Sequence, residues 1–247
     1  MNSKKYFEHA SEHIGRNINV NGSVKTLGLL PPDFIKGDMF VGQSHPGVVS
    51  YEFLESRGIT ISTSKPLPVD AVSTAHFRVE DDERNPSWWG SAHVDFMKNY
   101  RRRAFVLYAL GLSTSSAELI KNGNGGFKPY LKIDDRFREY YKNTVELLHS
   151  IFRRNGAKIV NLYFIDGEGN EYNDIHITTA HMTSSCRMAD NIDRGVVSSK
   201  GEMFNYPGLF ITDGAVIPSS LAVNPYLTIL ANAERMTKLI VENYRRN

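Results

Sequence analysis

LFITDGAVIPSSLAVNPYLTILANAER, residues 209–235, joins three kinds of sequence in one stretch. LFIT, 209–212, is a short apolar run of the kind found in strands buried on both faces of a parallel sheet. A loop of small residues follows, with Ala215, Ser219, Ser220 and Ala222. Asn224-Pro225 then opens a helical pattern that runs from about 224 to 244. Leu227, Leu230, Ala231, Met236, Leu239 and Ile240 form its expected buried face. Asn is a strong N-cap and Pro suits the first helical position, so this helix start is sound on local grounds alone. The positive end of a helix dipole can also stabilise an anion or a developing negative charge, and small residues ahead of it let a flat group approach the backbone.

Upstream, the chain changes character. Arg136–Arg154 carries Phe137, Tyr140, Tyr141, Leu147, Leu148, Ile151 and Phe152 at helical spacing. Asp134 and Asp135 stand at its start, Arg153 and Arg154 in its last turn, and Asn155-Gly156 at its end, all favourable for the dipole and the C-cap. Before it lie strand patterns. VVSYEFLESRGITIST (48–63) reads as a strand pair broken at Arg57-Gly58. The second half of DAVSTAHFRVE (70–80) alternates, RRAFVLYALGLST (102–114) is strongly apolar, and FKPYLKID (127–134) alternates again after the turn chemistry of NGNGG (122–126). The middle of the chain is therefore expected to be an antiparallel sheet. Residues 1–47, punctuated by six glycines and by Pro31-Pro32, read as irregular. This leaves 209–212 as an orphan: a parallel strand needs parallel neighbours, and no convincing βαβ unit supplies them.

Bulk composition excludes several classes. With 41% hydrophobic and 23% charged residues over 247 positions, the chain reads as an ordinary globular protein of one large or two modest domains. A net charge of +2 gives no argument for nucleic acid or an anionic membrane. Arg101-Arg102-Arg103 reads as the solvated start of a strand; a phosphate site is the alternative, but no other basic clustering accompanies it. Cys186 is the single cysteine, which excludes an internal disulfide and a cysteine-based metal site. AFVLYALGL (104–112) falls far short of the ~18 residues of a membrane helix, and the N-terminus shows no signal-peptide pattern. A soluble, reducing, cytoplasmic setting is expected, with no metal. NGNGG lacks both the spacing and the flanking elements of a phosphate loop. Trp88, Trp89 and Phe96 read either as core packing or as the lining of an apolar substrate cavity.

TTAHMTSSCRM, 178–188, holds His181. A loop histidine satisfied by backbone is one reading; a general base with a pKa near working pH is the other. Ser184, Ser185 and Cys186 raise a nucleophilic-hydrolase reading, but there is no GxSxG elbow, and the Cys–His spacing matches no known catalytic arrangement.

HMTSSCRM followed by GLFITDGAVIPSSLAVNPYLTILANAER resembles the C-terminal signature of the glucose–methanol–choline (GMC) family of flavin-dependent oxidoreductases, nearest to its cholesterol-oxidase-like members. HIGRNINVNG resembles the family's path into the substrate domain. GGFKPYLKID, the helix after it, and RRNGAK resemble the approach to the family's active-site histidine. The resemblance implies that His181 is the base that takes the substrate hydroxyl proton. Asn224 matches the second active-site position and would hold the hydroxyl oxygen while hydride passes to N5 of FAD. Asp213, Gly214, Pro225 and Tyr226 match cofactor-contacting positions, with the helix start facing the edge of the ring that gains negative charge on reduction.

Two departures from the family pattern matter. Ser184 and Ser185 replace small glycine-type residues, and the FAD-binding half with its GxGxxG turn is absent. The implied fold is α+β: a largely antiparallel-sheet substrate domain with helices, plus the last strand and helix of a Rossmann-like FAD-binding domain. The expected layout is an irregular opening segment (1–47), a substrate-binding domain (48–175) and a C-terminal part of the FAD-binding domain (176–247). Expected partners are a small-molecule alcohol and a second chain or missing segment that carries the GxGxxG half. A non-catalytic binding or scaffolding remnant of the same fold is the alternative.

Overall fold

A computed structural model of the chain describes residues 7–33, 38, 41, 47–64, 76–79, 90–113, 116–165, 171–172, 177 and 179–246. In chain order they form β1 (Ile18–Asn19), β2 (Val24–Leu29), β3 (Val49–Ser50), the helical turn α1 (Leu54–Arg57), β4 (Ile59–Ser64), β5 (His76–Val79) and α2 (Gly90–Arg103). Next come β6 (Ala104–Gly111), β7 (Ser116–Lys121), β8 (Phe127–Lys132), α3 (Asp135–Arg154), β9 (Lys158–Ile165), β10 (Glu171–Tyr172), a 3-10 turn (Gly214–Val216) and α4 (Tyr226–Arg246). The fold is α+β. Two compact units interleave along the chain: Val24–Ala109 with Tyr140–Thr178, and Met1–Ser23 with Leu110–Glu139 and Thr179–Asn247.

The first of these is built on a sheet in the order β10-β9-β2-β6-β4-β3, with β5 also paired to β9. The pairs β2–β6, β2–β9, β3–β4 and β5–β9 are antiparallel. The expected strand pair in 48–63 forms, as Val49↔Ser62 and Ser50↔Ile61. Between its strands the chain makes α1, which Gly58 ends in the left-handed region at φ 64°. Leu148 and Phe152 of α3 join Val24, Ile59, Ile61, Leu107, Ala109 and Ile159 of the sheet in one buried cluster. Helix α3 itself starts where its aspartates predict: Asp134 Oδ1 accepts from Phe137 N at 2.7 Å. Gly156, at φ 67°, follows its last turn.

Two expectations fail in this unit. Residues 1–47 are not all irregular, since β2 lies between β6 and β9. Gly28 obscures the strand in the sequence, yet it is required there: a Cβ at Gly28 would stand 2.6 Å from Cδ1 of Phe152. Arg101-Arg102-Arg103 do not begin a strand; they are the last turn of α2, where cations favour the dipole. Arg101 forks onto Asp38, Nε–Oδ1 3.1 Å and Nη2–Oδ2 2.6 Å, so its charge is already paired. Trp88 and Trp89 lie outside the described residues, as does the side chain of Phe96.

The other unit contains the β1-β7-β8 sheet, the long irregular segment from 179, and α4. NGNGG makes the β7–β8 hairpin turn, closed by Asn122 N to Gly126 O at 2.9 Å. The buried centre is Val196, Val197, Met203, Val216 and Met236. Leu209–Thr212 is not a strand. It folds back on its own chain: Phe210 bridges Glu202 antiparallel, and Ile211 N donates to Gly201 O at 2.9 Å. A run without parallel neighbours takes the nearest backbone partners it has. Helix α4 forms, but its buried face is narrower than expected. Met236 is fully buried and Leu239 and Ile240 are half-buried, whereas Leu227 (74%), Leu230 (52%) and Ala231 are exposed.

Candidate active site

All six candidate residues fall in this second unit, on two segments that are laced together. Cys186 N donates to Ala215 O and Met188 N to Val216 O, both at 2.9 Å. Ser184 Oγ donates to Ile217 O at 2.7 Å, and Thr183 Oγ1 to Ser219 O at 3.4 Å. The segment carrying His181 is thereby held along the loop that leads to α4. Gly214 marks their meeting point. A Cβ there would stand 3.0 Å from Cδ1 of Ile229, in the first turn of α4, and 3.5 Å from the carbonyl oxygen of Met182. Such a Cβ would crowd the tip of the Ile229 side chain and only touch the Met182 carbonyl, so Gly214 lies next to both.

His181 is half-buried, and its N–H donates to Thr179 Oγ1 at 3.0 Å. Helix α4 starts slightly later than the sequence indicated. Pro225 O accepts from Ile229 N at 2.8 Å, which puts buried Pro225 at the N-cap and exposed Asn224 just before it. Asn224 is thus the residue before the N-cap rather than the N-cap itself. The N–H groups of Tyr226, Leu227 and Thr228 have no intrahelical acceptor. Tyr226 itself is 70% exposed. This donor set fits the polar edge of a flat, electron-accepting ring. Asp213 caps the 3-10 turn, Oδ1 accepting from Ala215 N at 2.9 Å.

Among the described residues four non-glycine positions hold left-handed backbone: two asparagines, Asn21 and Asn205, which tolerate it, and Ser184 at φ 71° and Ala222 at φ 55°, which do not. Each such residue costs about 1–2 kcal/mol. At Ser184 the hydroxyl bond to Ile217 O offsets part of that, which explains how serine replaces a glycine-type residue there. Burial, and then the charge of Asp213, push the Cys186 thiol up, against a hydrogen bond from Ser185. A protonated, half-buried thiol is a poor nucleophile, which counts against the hydrolase reading.

Sequence reasoning missed Asn21. It is fully buried at φ 56°, and its side chain bonds the backbone of residues 221–223, directly before Asn224. The Asn-Gly pair at 21–22 was a visible sign of a left-handed turn, but nothing local shows the partner of its side chain. A groove of about 560 Å³ in the other unit, lined by Arg57, Ile59, Tyr140, Asn143, Thr144 and Leu147, contains none of the candidate residues. Among the described residues no group of three His, Cys, Asp or Glu side chains could hold a metal, and no helix is long and apolar enough to cross a membrane.

Several known proteins are similar to this chain. Residues 123–233 match the family model described as GMC oxidoreductase. A cholesterol oxidase from Mycobacterium tuberculosis is 30% identical over 138 residues, 56% of this chain and 23% of that protein. A long-chain-alcohol oxidase from Arabidopsis thaliana is 23% identical over 90% of this chain and 32% of its own length. Among solved structures, pyridoxine 4-oxidase from Mesorbium loti aligns with TM-score 0.53 and 17% identity over 93% of this chain and 44% of its own. A formate oxidase from Aspergillus oryzae, a protein described for modification of its FAD, aligns with TM-score 0.54 and 14% identity over 96% of this chain and 48% of its own. Residues 123–233 are thus similar to the C-terminal domain of the GMC oxidoreductases. The chain spans less than half the length of these relatives.

Proposed function

We propose that this chain is the catalytic and substrate-binding portion of an FAD-dependent oxidoreductase that oxidises an alcohol CH–OH group. FAD, when bound, supplies the ring that accepts hydride from the alcohol carbon. His181 takes the hydroxyl proton at its imidazole, and the Asn224 amide holds the hydroxyl oxygen. Gly214, Pro225 and Tyr226 bring the start of α4 to the ring, and Asp213 keeps the turn before it in shape. The observation that most supports this reading is the lacing of the segment after His181 to the loop before α4, Cys186 N to Ala215 O and Met188 N to Val216 O, both at 2.9 Å. Supporting it are the family match and the oxidases among the relatives.

The sequence holds no GxGxxG turn. The reading therefore includes a second chain or a further segment that binds the FAD phosphates, and a reducing, cytoplasmic setting. The test is spectroscopic. Protein isolated with any associated chain should show bound flavin, and an alcohol added without oxygen should bleach it. A complex that binds no flavin in any association would refute the proposal and favour a scaffolding remnant.

A further inference from the structure

Asn19 and Asn21 stand two residues apart, and each grips a different half of the candidate site. The backbone of Asn19 pairs with Thr183, N to O at 2.9 Å and O from N at 3.0 Å, two residues past His181. The side chain of Asn21 holds the other half. Its Oδ1 accepts from Leu221 N at 2.9 Å and Ala222 N at 3.1 Å, and its Nδ2 donates to Val223 O at 2.8 Å. Asn21 N donates to Asn19 Oδ1 at 2.6 Å, and Asn21 O accepts from Gly111 N at 3.1 Å. Every polar group of Asn21 is thereby used in a fully buried position. Its left-handed backbone, shared with Gly22 at φ 57°, turns the chain so that the side chain meets the loop.

We infer that Asn21 is a positioning residue: it clamps Leu221–Val223 and so fixes where Asn224 and the start of α4 stand relative to His181. This rests on the reading of Asn224 given above. Ala222 supports it independently. Its left-handed backbone is unfavourable for alanine, and its N–H is one of the two that Asn21 Oδ1 accepts. Free loops do not keep such conformations; held ones do.

Asn21→Gly is the informative variant, because glycine accepts the left-handed backbone and deletes only the clamp. Amide exchange at Leu221 and Ala222 should speed up on the order of tenfold, while the amides of Cys186 and Met188, bonded to Ala215 and Val216, keep their protection. Asn21→Asp retains the acceptor for Leu221 and Ala222 but loses the donor to Val223 O, so it should restore part of the protection at Leu221 and Ala222 and also covers the case that the glycine variant does not fold. In FAD-loaded protein, Asn21→Gly should slow flavin reduction by an alcohol about 10–100-fold, the usual cost of a misplaced group. In an Asn224→Ala background it should add little further loss, since it acts through Asn224.

Unchanged exchange at Leu221 and Ala222 overturns the clamp. Fully additive losses in the double variant overturn its action through Asn224. Faster exchange with undiminished flavin reduction in both Asn21→Gly and Asn224→Ala overturns instead the role given to Asn224, and with it the positioning of that residue.

Discussion

Ser184 shows how one residue trades backbone strain against a hydrogen bond. Ser184→Ala keeps the left-handed backbone and removes the donor to Ile217 O, and should destabilise the protein by about 1–2 kcal/mol in denaturant unfolding. Ser184→Gly loses the same bond but relieves the backbone, so its loss should be distinctly smaller. If alanine and glycine cost the same, the strain is not real. Cys186 gives a second test at this scale. Its thiol stays protonated at neutral pH, so alkylation should be slower than that of an exposed cysteine. Asp213→Asn keeps a capping oxygen and removes a charge that raises the thiol pKa, so alkylation should accelerate. As the only cysteine, Cys186 makes the readout unambiguous. His181 and the four residues proposed to face the cofactor were singled out through the resemblance of HMTSSCRM and the final stretch. Asn21 was not, because its partners lie 200 residues away and its turn signal is local.

At the scale of elements, legibility followed periodicity. Helices α3 and α4 declared themselves by apolar spacing and end chemistry, and the β7–β8 hairpin by its Asn and Gly residues. Strand β2 did not, because Gly28 interrupts the pattern for a reason that lies on another element. Gly28→Ala should cost about 1–3 kcal/mol, since the new methyl meets the ring of buried Phe152. Phe152→Leu, itself destabilising, should then cost less in the Gly28→Ala background than alone. Additive losses would mean the contact is not the cause. The segment from 179 to 225 has no period at all. Its order comes from backbone bonds between loops, which no apolar pattern encodes. Leu209–Thr212 was misread for a related reason: a short apolar run shows that a strand could form, not that neighbours exist to receive it.

For the molecule as a whole, the sequence holds no GxGxxG turn, which the proposed function assigns to a second chain or further segment. Tyr226, Leu227 and Leu230 at the start of α4 are exposed. On the proposed function, the chain by itself should bind FAD weakly, because its sequence holds no GxGxxG turn for the phosphates. Equilibrium dialysis against free FAD checks this; a stoichiometric yellow monomer would remove the need for a second half.

In the proposed function His181 is the proton acceptor for alcohol oxidation. The most direct measurement is the anaerobic rate of flavin reduction by an alcohol in FAD-loaded protein, compared between the native chain and His181→Ala. The account predicts a loss of about 10²–10⁴-fold, the usual worth of a positioned general base. Asn224→Asp, measured alongside, should fold normally yet reduce flavin slowly, because it sets a negative charge where negative charge develops. Native rates in His181→Ala would contradict the account.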